Sequence, residues 1–536
     1  MLPSQLLASV LVASAAALPS GCARTKVAIL GGGTAGITAA QALANASLHD
    51  FIILEYQDRI GGRAQHTQFG AGPDGEPYTV ELGANWVQGL GRPGGPENPI
   101  WTLAKKHKLK TTTNDYKSIA TYTQKGASNF TTLVADVAAA MRRMSVEAGR
   151  MLAENEQDRS ARAGLALAGW APAHHDMEAQ AAEYWSWVEV AKLSSLDFDA
   201  SLPPDQSSMI FGSATDNLTF AQFSPENNIV IDPRGYDALA RAEAASFLSP
   251  NDPRLQLNKH VTDIHYSDST VTVSSSDGSC VQADYAICTF SLGVLQSDAV
   301  HFHPPLPAWK QAAIRSFDMG TYTKLFLQFN HTFWPKHRQF MLYASPTQRG
   351  RYPIWQSLDG HAFIPGSHII FATVNHDESY RIEQQTDAET KAELLAVLAD
   401  MFPDVEIPQP TAFLYPRWTK TPWARGSYSN WPVGTTLETH QNLRANTGRL
   451  WFAGEATSAQ YFGYMHGAWF EGREAGAHVA ELASGRSCFR IEGEAEVCGE
   501  RLRYETLKGT SPLEHYTLLN GWAAKSFAAS KTGEGE

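Results

Sequence analysis

Residues 26–56, KVAILGGGTAGITAAQALANASLHDFIILEY, decide how this chain is built. The apolar run Val27 to Leu30 turns through Gly31-Gly32-Gly33-Thr34-Ala35-Gly36 into an alanine-rich segment, and a second apolar run, Phe51 to Leu54, ends in Glu55. A strand, a tight turn, a helix and a second strand account for the pattern, and the spaced glycines fit the dinucleotide fingerprint of a βαβ unit. Gly31 permits the turn, Gly33 lets backbone approach a pyrophosphate, and Gly36 lets helix and strand close on one another. The helix N-terminus then offers unpaired N–H groups to the phosphates. Glu55 is placed to hold both ribose hydroxyls; a carboxylate there repels a 2′-phosphate, which disfavours NADP and leaves NAD and FAD.

The next residues choose between them. Arg59-Ile60-Gly61-Gly62-Arg63 adds a second glycine pair and an arginine close to the pyrophosphate, a pattern that looks like the flavoprotein continuation of the fingerprint, so FAD is the expected cofactor. Near the other end, Leu450-Trp451-Phe452-Ala453-Gly454-Glu455 reads as a short buried strand ending in an acid. It is followed by Gly463-Tyr464-Met465-His466-Gly467-Ala468 and a helix to about Leu482, whose N-terminus points back toward the cofactor region. Between these lies Glu81 to Gly89, ELGANWVQG, with neither a helical nor a strand period.

At 536 residues, 43% hydrophobic and 18% charged, the chain is long enough for two or three globular domains and shows no low-complexity block before its tail. A net charge of -12 disfavours nucleic acid and anionic membranes as partners and suits a cationic ligand. The apolar run Leu6 to Leu18 is too short to span a bilayer and reads as a secretory signal peptide lacking its usual charged start, so secretion is expected. Sequons at Asn45, Asn129, Asn217 and Asn330 are compatible with that. The five cysteines fit no metal spacing; Cys488 and Cys498 either close a small loop or stay unpaired.

Taken together, LGGGTAG, LEYQDRIGGR, ELGANWVQG, LQLNKHV, FDMGTYTKLFLQF, GSYSNWPVG and FAGEATSAQYFGYMHGA resemble the FAD-dependent amine oxidases, most closely the polyamine oxidases of the plant secreted type, from about Val27 to about Leu482. The resemblance implies an α/β, Rossmann-like FAD-binding domain from residues 24–95, 226–300 and 411–486. An α+β substrate-binding domain would come from 96–225 and 301–410, both domains being discontinuous. Residues 1–23 would be the signal peptide and 487–536 a partly mobile extension. Short strand patterns over Leu257 to Val273 and Ala283 to Val294 about the turn Asp277-Gly278, and amphipathic helices over Thr131 to Glu154 and Thr386 to Met401, agree with this division.

The same resemblance implies the site. Gly83, Ala84, Asn85 and Trp86 would run along the flavin, with Val261, Trp418, Glu455, Gly463 and Tyr464 as further cofactor contacts. Strand alternation puts Tyr322, Lys324, Phe326 and Gln328 on one face. The family's matching lysine holds a water against the flavin, a role that falls on Lys324. Tyr428 and Tyr464 match two aromatics that guide an amine by cation–π attraction, beside Trp86 and Tyr322. Monoamine oxidases carry a flavin-bonding cysteine where this chain has Ser427, so non-covalent FAD is expected. Glu189 aligns with a tunnel carboxylate. Gln88 stands where the plant secreted enzymes carry glutamate, which drops a charge and implies weaker binding of unmodified spermine than of a less charged analogue.

The expected activity is oxidation of spermine, spermidine or their acetyl forms by oxygen, without metal, in a monomer. Oxidation of another amine or biosynthetic intermediate, or a non-catalytic flavin protein, are the alternatives.

Overall fold

Parallel apolar strands from widely separated parts of the chain, Ala23–Leu30 to Leu450–Phe452, form one sheet. The computed structural model describes residues 21–115, 118–185, 201–216, 219, 223–490, 496–507 and 509. In the first sheet Ala23–Leu30 lies between Phe51–Leu54 and Cys280–Cys288, parallel to both, with Leu255–Gln256 outside Phe51–Leu54. Cys280–Cys288 is long enough to serve two neighbours: its first half pairs antiparallel with Val271–Ser275, and its second half pairs parallel with Leu450–Phe452. Val261–Tyr266 and His301–His303 complete the sheet. Val27, Ile29, Phe51 and Ile53 are buried on one face and Ala28, Leu30 and Leu54 on the other, the near-continuous apolar run of strands covered on both sides.

The expected helix after the glycine turn is Thr34–Asn45, and it packs on Met465–Ala483 with almost no side chain between them. A β-carbon at Gly472 would lie 2.2 Å from the Ala35 carbonyl oxygen, and one at Gly476 would lie 2.4 Å from that of Ala39. Small residues therefore set the distance between these helices.

A second sheet has the order Ala412–Leu414, Tyr322–Gln328, Ile369–Asn375, Ile354–Ser357, Phe340–Ala344, Ile119–Thr123, Gly126–Ser128. Leu325 and Leu327 join the apolar cluster on one side of it, under the helix Asp387–Met401, whose Thr386 and Glu389 form a capping box. The helix expected from Thr131 runs to Ala153, with Val134, Val137, Met141, Met144, Ala148 and Met151 on its buried stripe.

Four expectations need correction. ELGANWVQG is not wholly irregular: Tyr78–Glu81 and Trp86–Gln88 are strands, the latter paired with Asn227–Val230, and three residues are too few to display a period. Leu292–Leu295 is a helical turn capped by Ser291 rather than the end of a strand. Ala412–Leu414 belongs to the second sheet and His301–His303 to the first, so the chain changes sheets slightly later than expected at both points.

Lastly, part of the C-terminal extension is anchored. Cys488 bonds Cys498, and Cys22 bonds Cys280 beside the register pair Ala23 and Val281. Beyond them the Arg501 guanidinium is buried, donating to the carbonyls of Arg444 at 3.0 Å and Phe452 at 2.8 Å and to the Glu474 carboxylate at 3.2 Å. Asn442 exchanges two hydrogen bonds with the Tyr504 backbone. The apolar run Leu6 to Leu18 lies outside the described residues.

Arg501→Ala leaves the buried Glu471 and the half-buried Glu474 with Arg444 as their remaining cation among the described residues. Breaking a buried ionic network costs about 3–5 kcal/mol. The guanidinium-unfolding midpoint of Arg501→Ala is therefore expected well below that of the wild type; an unchanged midpoint would mean the extension is not part of the core.

Candidate active site

A cavity of about 510 Å³ collects the residues expected from the sequence. Gly31, Gly33, Glu55, Gly62 and Arg63 line it near the first strand; Gly83, Ala84, Asn85, Trp86 and Gln88 along the irregular stretch and its strand; Val261, Tyr322, Lys324, Trp418, Tyr428, Glu455, Gly463 and Tyr464 on the remaining walls. Gly36 lies behind the wall rather than on it, and Glu189 lies outside the described residues.

Backbone touches backbone at the glycine turn. A β-carbon at Gly36 would fall 1.9 Å from the Gly31 carbonyl oxygen, and one at Gly62 would fall 3.2 Å from the Gly33 α-carbon. Gly31 has φ +112, in the region that favours glycine. The helix Thr34–Asn45 has no side-chain cap among the described residues, and its first residues Thr34 and Ala35 line the cavity. The helix Met465–Ala483 likewise starts without a side-chain cap, with Met465 on the cavity wall. Two positive helix ends thus open on one space, which suits a ligand with two anionic regions.

Glu55 is buried, and its carboxylate accepts from the Gly32 amide at 2.6 Å and the Gln57 amide at 2.8 Å. Burial raises its pKa while these donors oppose the rise. The Arg63 Nη1 donates to the Glu455 carboxylate at 2.8 Å and to the Ser427 carbonyl at 2.9 Å. Glu455 also accepts from the Ser429 hydroxyl at 2.5 Å and the Gly463 amide at 2.9 Å. One ion pair thereby ties the segments that carry Tyr428 and Tyr464.

Lys324 is buried on the cavity face of its strand, and its Nζ donates to the carbonyls of Glu81 at 3.1 Å and Gly83 at 2.6 Å and to Asn85 Oδ1 at 2.7 Å. All three donors of the ammonium are therefore spent within the chain. Accepting a proton from water needs the neutral amine, which keeps two donors and gains a lone pair. Burial lowers the Lys324 pKa well below the lysine range, the Glu81 carboxylate opposing this, and burial raises Glu81 in turn.

The Trp86 ring lies 5.2 Å from Lys324 Nζ. The Tyr322 and Tyr428 rings are 6.1 Å apart, inclined by 44°. Gly463, at φ +79, precedes Tyr464, and a β-carbon there would lie 3.4 Å from the Tyr428 ring. Trp418 packs on Gly83, and Trp423 meets it edge-on at 5.9 Å. Ser427 Oγ is held on the Tyr322 backbone, accepting from its amide at 2.8 Å and donating to its carbonyl at 3.2 Å.

Sequence reasoning passed over several wall residues. Tyr56, two residues past Phe51–Leu54, stacks at 3.9 Å on His260, which immediately precedes Val261–Tyr266; Thr289 directly follows Cys280–Cys288, and Trp423 lies five residues after Trp418. The general rule that ligands lie outside the carboxyl ends of parallel strands points to Tyr56 and Thr289; His260 and Trp423 carry no such signal.

The sequence profile described as flavin containing amine oxidoreductase matches residues 34–480, and the chain belongs to that family. Polyamine oxidase 7 of Oryza sativa subsp. japonica is 38% identical over 486 residues, covering 87% of this chain and 97% of its own. Polyamine oxidase 1 of Zea mays is 37% identical over 486 residues, covering 88% and 93%. In fold the chain is similar to solved structures of putrescine oxidase. One, from a redesign of its cofactor binding, has a TM-score of 0.66 at 18% identity, covering 86% of this chain and all of that one. Another, the wild type bound to putrescine, has 0.64 at 18%, covering 85% and 99%. This chain is an FAD-dependent amine oxidase. The backbone-only glycine turn and the two helix ends fit FAD. Among the described residues no helix is long and apolar enough to cross a membrane, and no cluster suits a metal ion.

Proposed function

We propose that the amine is a polyamine, spermine, spermidine or an acetylated form, oxidised with oxygen as acceptor to an imine that hydrolyses, with hydrogen peroxide as coproduct. The single observation that carries this reading is the aromatic-lined cavity containing one buried lysine, in a chain nearly two-fifths identical to proteins named polyamine oxidases. In this reading the first sheet belongs to an FAD-binding domain and the second to a substrate-binding domain, each assembled from separate stretches. Gly31, Gly33, Glu55 and Gly62 would hold the dinucleotide, and Gly83 to Trp86 and Trp418 the ring.

When bound, FAD supplies the oxidant, accepting a hydride equivalent from the carbon beside the amine nitrogen and passing the electrons to oxygen. The chain's residues do the rest. Tyr322, Tyr428, Tyr464 and Trp86 offer aromatic faces to a cationic chain, roughly 0.5–2 kcal/mol per contact. Neutral Lys324 accepts a proton from a water, and while charged it pins Gly83 and Asn85 against the ring position. The aromatic side chains about Lys324 would limit the access of bulk water to the reacting carbon. Gln88 hydrogen bonds without charge, so a polyamine with one amine acetylated loses less there than it would at a carboxylate.

Peroxide release across an amine panel tests the substrate class. Turnover of spermidine, spermine or N-acetylspermine, with benzylamine and amino acids inert, is the expected result, and N-acetylspermine should have the lower KM relative to spermine. Activity confined to benzylamine, or none with FAD bound, overturns it.

Lys324→Met is expected to keep FAD and to slow flavin reduction or reoxidation by on the order of 100-fold, the usual size of a proton-transfer contribution. Stopped-flow traces matching the wild type would remove Lys324 from the chemistry.

We further propose secretion and non-covalent FAD. Two disulfides and three exposed sequon asparagines, Asn45, Asn129 and Asn330, favour the first, and a serine hydroxyl at position 427 favours the second. Protein gathered from the medium of expressing cells should release yellow flavin into the supernatant on acid precipitation. Retention inside the cells, or flavin in the pellet, overturns the respective proposal.

A further inference from the structure

Two buried side chains that do not line the cavity join two that do. Asn98 is fully buried, and its Oδ1 accepts from the Ile100 amide at 2.9 Å, capping the helix Pro99–Lys106. That donor fixes which end of the amide is oxygen, so the opposite end is the NH2 group. Its two hydrogens go to the Gln88 carbonyl at 2.7 Å and toward His466 Nδ1 at 3.3 Å. His466 Nδ1 is therefore the unprotonated acceptor, and Nε2–H faces Thr219 Oγ1 at 3.2 Å. The imidazole is 2% exposed, and burial lowers its pKa to about 3, so it is neutral at every pH at which amines are handled. Its ring lies on the Tyr464 ring, with centroids 5.0 Å apart and planes inclined by 23°. Tyr461 and Phe223 close its other sides at 4.8 and 5.7 Å.

Gln88 and Tyr464 come from elements 376 residues apart, one on a three-residue strand and the other at the start of a helix. Asn98 holds the backbone of the first, and His466 supports the ring of the second. The hydrogen bond between them is a direct tie from wall to wall, made by groups that never meet the substrate.

We propose that Asn98 and His466 form a positioning unit that sets the spacing between Gln88 and Tyr464, and through it the length of dication the cavity prefers. A long chain with two charges spans the aromatic face and the Gln88 wall together, whereas a short one uses the aromatic face alone. Loosening the unit then weakens the long ligand selectively. Displacement of a contact by as little as 1 Å can cost on the order of 100-fold where geometry decides. The inference rests on the reading of this cavity as the amine site, but its test needs no turnover.

Asn98→Ser separates positioning from folding. A serine still caps the helix Pro99–Lys106, since its hydroxyl can accept from the Ile100 amide, but it cannot reach both Gln88 and His466. His466→Phe is the second variant: it keeps a ring beneath Tyr464 and removes both hydrogen bonds. The probes are two bis-quaternary ammonium alkanes, one short and one long, which have no N–H and cannot be oxidised to an imine. Their affinities for the FAD-loaded protein are measured by calorimetry, with FAD content read from the flavin absorbance.

We expect both variants to carry the wild-type amount of FAD and to lose at least tenfold in the long-to-short affinity ratio, equally at pH 6 and pH 8 because the imidazole is neutral at both. An unchanged ratio overturns the proposal, as does a loss that parallels FAD content or melting temperature, which is the mark of a merely structural role. Binding of neither probe to the wild type would instead overturn the reading of the cavity as an amine site.

Discussion

The contact between the helices Thr34–Asn45 and Met465–Ala483 is a backbone contact, and most of the site depends on it. With Gly472 and Gly476 facing Ala35 and Ala39, the two helices approach more closely than any pair carrying larger side chains there could. Their axes are then fixed relative to one another, and so are their N-terminal ends, both of which open on the cavity. An apolar interface with longer side chains would move the second end outward by the thickness of a side chain. The pyrophosphate end and the aromatic end of the site would then no longer share one cavity.

The site is further held by charges that are satisfied inside the protein. Arg63 and Glu455 join the glycine-turn segment to the segments bearing Tyr428 and Tyr464, and Lys324 joins the second sheet to the stretch Glu81 to Asn85. Lys324 is buried and Arg63 half-buried, and each has enough acceptors to offset much of its desolvation. The aromatic and uncharged residues that would meet an amine therefore share the cavity wall with two cations, Lys324 and Arg63, whose charges are met from within the chain.

Legibility in the sequence followed how local each signal is. The βαβ unit was readable because period, glycine spacing and the acid all fall within 31 residues, and Lys324 was readable because alternation along one strand separates Tyr322 and Lys324 from Leu325 and Leu327. The helices expected over Thr131 to Glu154 and Thr386 to Met401 had the same basis, a local period. Cys22 and Cys280 gave no local sign of pairing, since their proximity depends on the parallel register of two strands more than 250 residues apart. Arg501 lies in a polar segment with no period, and only the folded core reveals the carbonyls it meets. Three-residue strands such as Trp86–Gln88 escape periodicity altogether.

The strand Leu450–Phe452 lies against Cys280–Cys288, which lies against Ala23–Leu30, and the helix that follows Leu450–Phe452 supplies the last wall of the cavity. During synthesis the surface that the glycine turn needs emerges more than four hundred residues after the turn itself. The nascent chain can shelter its first apolar strands only provisionally, and a complete binding cavity exists only once Leu450–Phe452 and the helix Met465–Ala483 have been made. A complete cofactor cavity is therefore coupled to the closure of the sheet by Leu450–Phe452 rather than to the appearance of the nucleotide fingerprint.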